Sequence, residues 1–217
     1  MLSRDHPLHV PESALLVIDM QNFSAHRDGG AYKGVPDTEF DARFGWFFKT
    51  LEQGVIPNIR RLQAACRRSG VEVLYTTIES LTKNGRDRGL DYKRLGFDVP
   101  KGSWDGRVID QLAPEDDEIV LPKSSSSVFI STHIDYVLRN LGIRQLVICG
   151  METDDCVESA IRDAADLGYL VTQVTDACAT YSAERHEAAL AAIAGHCRQV
   201  TTDALLAEMD AAVGTWA

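Results

Sequence analysis

The sequence has no excess of positive charge, since its formal net charge is −10. Proteins that bind nucleic acid or anionic membrane surfaces usually carry a basic patch, so this composition argues against both partners. No apolar run approaches the ~20 residues needed to cross a bilayer, and no N-terminal stretch combines a basic flank with an apolar centre. We therefore expect no nucleic-acid or membrane partner, and a cytoplasmic location.

The cysteine and histidine spacings of common metal sites are also missing. The five cysteines are an odd number and contain no C-x-x-C pair, and there is no H-E-x-x-H motif. Such thiols disfavour a disulfide framework or a zinc cluster and fit a reducing compartment. A nucleotide-binding Rossmann domain is a weak alternative, because the sequence has neither G-x-G-x-x-G nor G-K-[ST].

What the sequence does contain is an alternation of apolar runs and helical patterns. The runs predict strands at 14–20, 71–77, 118–123, 144–149, 170–175 and 198–201. The helical patterns lie at 51–69, 107–112, 131–141, 156–168, 182–194 and 203–213. This order predicts a single α/β domain over 1–217, a three-layer αβα sandwich whose parallel sheet has helices on both faces.

Two long segments, 20–50 and 80–106, show no clear periodicity and are predicted to be loops. Long insertions near a ligand-binding edge often serve as lids or pocket walls, and an interface with a second subunit is an equal alternative. The first segment holds an aromatic cluster, Phe44, Trp46, Phe47 and Phe48. We expect this cluster to be exposed and to favour self-association.

A charged or reactive residue stands at the end of three predicted strands. Asp19 and Lys123 close two of the apolar runs, and Cys156 follows a third by way of a glycine turn. Because ligands of open α/β sheets bind outside the carboxyl ends of the strands, the three residues are predicted to meet there. A thiol, a proton acceptor and a cation are the components of nucleophilic catalysis by cysteine.

Cys156 is predicted to lie in the first turn of a helix. The unpaired N–H groups and partial positive charge of a helix N-terminus stabilise a thiolate, so we expect the pKa of this thiol to be lowered. The alternative is that Cys156 is a small, inert residue that packs a strand–helix junction.

Three motifs together resemble one family. IDMQ with Asp19, LPK with Lys123 and GMETDDCV with Cys156 occur in the order typical of the isochorismatase-like cysteine hydrolases, a match that spans roughly 14–180. This family includes nicotinamidases, N-carbamoylsarcosine amidohydrolase, and the biuret, triuret and ureidoacrylate hydrolases. The resemblance implies a six-stranded parallel sheet and the triad Asp19, Lys123 and Cys156.

The resemblance also implies details of the site. The oxyanion donors would be the main-chain N–H groups of Glu152 and Cys156, and the Met151–Glu152 peptide would be cis. Family members are usually homodimers or homotetramers. Nicotinamidases hold a metal with histidines after the second strand, whereas this chain has TTIES there, so we expect no metal, no cofactor and no nicotinamide substrate.

The resemblance and the retained thiol favour cleavage of a C–N bond in a small amide or ureide through a thioester. The side chain of Glu152 has three possible roles: contact with substrate, contact with a neighbouring subunit, or exposure to solvent. Alternatives to this activity are an isochorismatase-type vinyl-ether hydrolase and a non-catalytic binding member of the family. Pocket-lining candidates from the long segments and the region after Lys123 are Asn22, Phe23, His26, Glu79 and Phe129.

Overall fold

Six apolar segments form one parallel sheet with the strand order β3-β2-β1-β4-β5-β6. The computed structural model describes residues 4–213. The central strands β1 and β4 are buried along their whole length, which explains their uninterrupted apolar sequences. The predicted parallel sheet is confirmed, with strands β1 (Ser13–Ile18), β2 (Glu72–Ile78), β3 (Ile119–Lys123), β4 (Gln145–Met151), β5 (Leu170–Ala179) and β6 (Arg198–Val200).

Helices connect the strands and cover the sheet. The two longest after residue 50 are α3 and α9, which pack on each other, while α7 packs against β5 and α8. The helices are α1 (Asn22–Ala25), α2 (Asp37–Thr50), α3 (Ile56–Ser69), α4 (Leu90–Leu95), α5 (Val128–Ser131), α6 (Ile134–Asn140), α7 (Glu158–Asp166), α8 (Ala183–Ile193) and α9 (Thr202–Val213). Within the described residues, no helix is long and apolar enough to cross a membrane.

The first long segment is not a loop. It contains α2, which continues through a wide turn, Leu51–Val55, into α3, so the helix predicted from 51 begins at Asp37. Pro57 directly follows this wide turn, in the first turn of α3, and it has no main-chain N–H group to donate to the helical turn before it. The sequence did not predict this helix, because α2 is only weakly amphipathic and because glycines and a proline, which favour loops, precede it.

The expectation of an exposed aromatic cluster is wrong. Phe47 and Phe48 are 0% and 2% exposed, and only Trp46 is largely accessible, at 43%. The Phe48 ring packs edge-on against Tyr32, with 5.3 Å between ring centroids. Phe47 and Phe48 belong to the core and Phe44 packs against it, so the cluster does not form an exposed apolar patch. The oligomeric state implied by the resemblance stays a prediction.

The second long segment and the region after it also differ from expectation. Residues 80–106 include the short helix α4, and the predicted helix 107–112 is reduced to a single turn, Asp110–Leu112. In place of the predicted helix 156–168, the structure has a wide turn, Thr153–Val157, that continues into α7. Cys156 therefore occupies the first turn of this helical segment, as predicted.

Candidate active site

The carboxyl ends of β1, β3 and β4 bring the three strand-end residues together. Asp19 directly follows β1, and Lys123 is the last residue of β3. Cys156 is delivered by the turn after β4, which passes close to β1 at Gly150. A Cβ atom on Gly150 would lie 2.1 Å from the carbonyl oxygen of Ile18, so only glycine fits this approach.

Lys123 is the centre of the cluster. Its Nζ lies 2.8 Å from Asp19 Oδ2 and 3.2 Å from Cys156 Sγ. The side chains of Lys123 and Asp19 are 0% and 2% exposed, so the ion pair is fully buried. The structure thus brings the three predicted residues into one hydrogen-bonded group.

Asp19 is held in a fixed orientation. Its φ angle of 52° is in the left-handed region, which aspartate tolerates better than most residues. Thr76, on the neighbouring strand β2, donates its hydroxyl to Asp19 Oδ1 over 2.7 Å. Oδ2 is left to face Lys123, so the two oxygens of this carboxylate have separate partners.

Tyr92 is a member of the cluster that sequence reasoning did not single out for the site. Its hydroxyl accepts a hydrogen bond from Lys123 Nζ at 3.2 Å and lies 3.9 Å from Cys156 Sγ. Tyr92 comes from α4, within the segment without periodicity, and is 2% exposed. The only sequence signal was an aromatic residue in a polar stretch.

The protonation states of the cluster follow from burial and charge. Burial lowers the pKa of Lys123, but Asp19, Cys156 and Tyr92 together outweigh burial and raise that pKa well above its ordinary value. Burial raises the pKa of the Cys156 thiol; the Lys123 ammonium opposes this shift and the Asp19 carboxylate adds to it. The expectation of a lowered thiol pKa is therefore wrong, because burial of the thiol, with the Asp19 carboxylate nearby, outweighs the effect of the Lys123 ammonium.

A small cavity of about 80 Å³ lies in front of Cys156. Its wall combines aromatic and apolar side chains with three carboxylates. The lining residues are Asp19, Phe23, Ser24, Ala31, Ile78, Phe97, Met151, Glu152, Asp155, Cys156 and Tyr181. A small, partly open cavity beside a nucleophile, with both apolar and carboxylate groups in its wall, suits a small polar substrate.

Of the five pocket-lining candidates, only Phe23 is part of this wall. Asn22 donates its side-chain amide to the carbonyl of Trp104, and the ring of His26 packs edge-on against Trp104. Glu79 accepts a hydrogen bond from the main-chain N–H of Gly102. Phe129 packs near Tyr169, with ring centroids 6.0 Å apart. These four side chains make local structural contacts instead, which residue type alone did not reveal.

The turn before Cys156 has the backbone feature that the resemblance implied. The Met151–Glu152 peptide is cis. Glu152 and Tyr181 both line the cavity, and Tyr181 was not among the predicted site residues. Among residues 4–213, no group of three His, Cys, Asp or Glu side chains is arranged to hold a metal ion.

Comparison with known proteins agrees with this arrangement. The family model described as the isochorismatase domain matches residues 13–204. A ureidoacrylate amidohydrolase of Agrobacterium fabrum is 32% identical over 190 residues, which cover 76% of this chain and 75% of that protein.

The chain belongs to the isochorismatase family.

Two solved structures share the fold of this family member. A cysteine hydrolase from Pseudomonas syringae pv. phaseolicola superposes with a TM-score of 0.79 and 24% identity over 96% of this chain and 97% of that one. N-carbamoylsarcosine amidase from Thermoplasma acidophilum gives a TM-score of 0.66 and 24% identity over 88% and 97% of the two chains. The resemblance seen in the sequence is thereby confirmed at the level of family and fold.

Proposed function

We propose that this isochorismatase family member is a cysteine hydrolase that cleaves a C–N bond of a small amide or ureide. The observation that carries the proposal is the contact of a buried thiol with a buried ion pair at the wall of a cavity. Relatives named ureidoacrylate amidohydrolases support the same class of reaction.

In the proposed reaction, Cys156 Sγ attacks the carbonyl carbon while Asp19 accepts the thiol proton. The raised pKa of Cys156, a consequence of its burial, means that the resting group is a thiol, so a nearby base is needed. Lys123 stays an ammonium and stabilises the negative charge that passes between sulfur and carboxylate.

The tetrahedral intermediate carries its charge on oxygen, for which the main-chain N–H groups of Glu152 and Cys156 are the proposed donors. As the C–N bond breaks, the proton on Asp19 passes to the leaving nitrogen, which departs as ammonia or an amine. Water then attacks the thioester, gives a proton to Asp19, and releases the acid product as that proton returns to sulfur.

The test is ammonia release from biuret, triuret, ureidoacrylate, N-carbamoyl amino acids and nicotinamide, with the wild type beside Cys156→Ala. We expect at least one ureide to be hydrolysed and the rate to fall by about 10³-fold or more in the variant. Cys66→Ala is the matched control, since Cys66 is equally buried but lies in α3, outside the cavity. Ammonia release that persists at the wild-type rate in Cys156→Ala contradicts the thioester route, because the C–N bond would then be cleaved without the thiol.

A further inference from the structure

The cavity in front of Cys156 is acidic. Its lining residues include three carboxylates, Asp19, Glu152 and Asp155, and none of them is lysine, arginine or histidine. The negative charge of Asp19 is compensated by Lys123 behind it. Within residues 4–213, neither Glu152 nor Asp155 forms an ion pair, so their charge is available to a bound molecule.

Glu152 is positioned to meet a substrate. It follows the last residue of β4, lines the same cavity as Cys156, and has a hydrogen-bonding contact with the Tyr181 hydroxyl. Tyr181 is itself fixed against Phe47, with 4.8 Å between ring centroids. The carboxyl group is thereby anchored on one side of the cavity while the nucleophile occupies another part of its wall.

Partial burial raises the pKa of Glu152 to about 7, a shift that the Tyr181 hydrogen bond opposes. A positively charged or N–H-bearing group beside this carboxyl would favour its ionised form and gain an attractive partner. A substrate carboxylate in the same place would meet like charge and find no cation on the cavity wall. The charged and titratable groups around Glu152 are Asp154, Asp155, Arg185, Tyr32 and Tyr181.

Arg185 is the cation that acts on Glu152, and its charge favours the ionised carboxylate against burial. Arg185 Nε lies 2.6 Å from Asp154 Oδ2, so its charge is already paired outside the cavity wall. The relatives named ureidoacrylate amidohydrolases have, by that name, an anionic substrate. An acrylate group in this cavity would lie among carboxylates.

We propose that Glu152 is the specificity-determining residue of this site, and that it selects amides or ureides whose remote group is cationic or a neutral N–H donor over those with a carboxylate. This inference rests on the proposed C–N hydrolase function, and it assigns to the Glu152 side chain a contact with substrate.

The test uses three ureas that differ only in the end of a two-carbon arm: (2-aminoethyl)urea, (2-hydroxyethyl)urea and 3-ureidopropanoate. Their kcat/KM values, or their inhibition constants against a ureide that the enzyme turns over, give a preference ratio of cation to anion. We expect the wild type to favour the cation and Glu152→Gln to reduce the ratio by about 10–100-fold. Glu152→Asp keeps the charge and should keep most of the preference.

Glu72→Gln is the matched control. Glu72 is the exposed first residue of β2, at the end of the sheet opposite the cavity, and its substitution changes the net charge by the same amount as Glu152→Gln. We expect it to leave the ratio unchanged. In the wild type the ratio should rise between pH 6 and 8, as Glu152 ionises, and should stay flat in Glu152→Gln. Circular dichroism verifies that each variant is folded.

Two results overturn the inference: a wild-type preference for 3-ureidopropanoate, or an equal ratio in wild type and folded Glu152→Gln. Cys156→Ala, measured in parallel, separates this failure from failure of the proposed function. If Cys156→Ala is inactive while the ratio is insensitive to Glu152, only the role of Glu152 is wrong. If Cys156→Ala retains full turnover, the proposed function itself is wrong.

Discussion

Strand β3 has a charged cluster at each end, and the two clusters differ in what their charges contact. At the start of β3, the Glu118 carboxylate accepts hydrogen bonds from Arg67 Nε and Nη2, each with a donor–acceptor distance of 2.8 Å. It accepts a third from the Tyr75 hydroxyl at 2.9 Å. We call Glu118, Arg67 and Tyr75 the closed cluster. At the other end of β3, Lys123 contacts Asp19 and Cys156. We call Lys123, Asp19 and Cys156 the open cluster.

The difference lies in the groups left free to react. In the closed cluster the carboxylate is occupied by donors from α3 and β2, and Tyr75 is further fixed by the side-chain amide of Gln63. In the open cluster one ammonium contacts two groups that can carry negative charge, Asp19 and Cys156, and both of them line a cavity. The closed cluster therefore joins β2, β3 and α3, whereas the open cluster holds a proton that can pass between Cys156 and Asp19.

Breaking the open cluster should have the largest effect. In Lys123→Met the Asp19 carboxylate is left buried without its ion-pair partner, so we expect a loss of about 3–5 kcal/mol in the free energy of unfolding and no measurable turnover. Chemical denaturation and the ammonia assay measure the two effects.

The double variant Asp19→Asn/Lys123→Met is the control, since it removes both charges together. It should regain much of the lost stability without regaining activity. If the double variant is no more stable than Lys123→Met, the buried charge of Asp19 is not the cause of the destabilisation.

Breaking the closed cluster should affect stability alone. Glu118→Gln removes a charge-assisted pair with Arg67, and we expect the free energy of unfolding to fall by about 1–3 kcal/mol with kcat unchanged. Thermal unfolding and steady-state kinetics test this separation. A large fall in kcat in a folded Glu118→Gln protein would show that the two ends of β3 are coupled.

The stability that the closed cluster contributes should also depend on pH, through the ionisation of Glu118. Burial opposes ionisation of Glu118, but hydrogen bonds from Arg67, from the main chain of Glu115 and from Tyr75 together outweigh burial and lower its pKa below the ordinary 4.5. A depressed pKa means that the stabilisation is fully present above about pH 4.5 and is lost as the pH falls through the lower, folded-state value. The difference in Tm between wild type and Glu118→Gln should therefore shrink below pH 4.5, and a constant difference would contradict this account.

The smallest effect is expected at Tyr92. Tyr92→Phe removes the hydroxyl that lies 3.2 Å from Lys123 Nζ but keeps the ring, so kcat should fall by up to about tenfold while KM and Tm change little. Tyr169→Phe is a suitable comparison, because Tyr169 is also buried and its hydroxyl donates to Asp135 Oδ1, outside the cavity. An equal loss of kcat in both variants would remove the special role of Tyr92.

Much of the fold and the centre of the site could be predicted from the sequence. The strands were recognisable because strands buried on both faces are continuous apolar runs, and parallel pairing brings their carboxyl ends to one edge. Asp19, Lys123 and Cys156 stand directly at or after such ends, so topology alone placed them together.

Features that depend on long-range packing could not be predicted. The helix α2 was hidden because its weakly amphipathic sequence packs aromatic side chains that sequence alone does not show to be buried. Tyr92 and Tyr181 reach the site through connecting segments whose path no local pattern specifies. The direction of the Cys156 pKa shift depends on burial and on the distance to Asp19, and a helix N-terminus alone suggested the opposite sign.

The proposed function depends above all on a covalent thioester that forms on Cys156 during C–N cleavage. The most direct measurement is acid quenching of the enzyme during turnover of a ureide, followed by mass spectrometry of the peptide that contains Cys156. We expect an added mass equal to the acyl part of the substrate on Cys156, and no such adduct in Cys156→Ala, which should be inactive. Turnover at the wild-type rate by Cys156→Ala, with no adduct on the wild-type thiol, would contradict the proposed function.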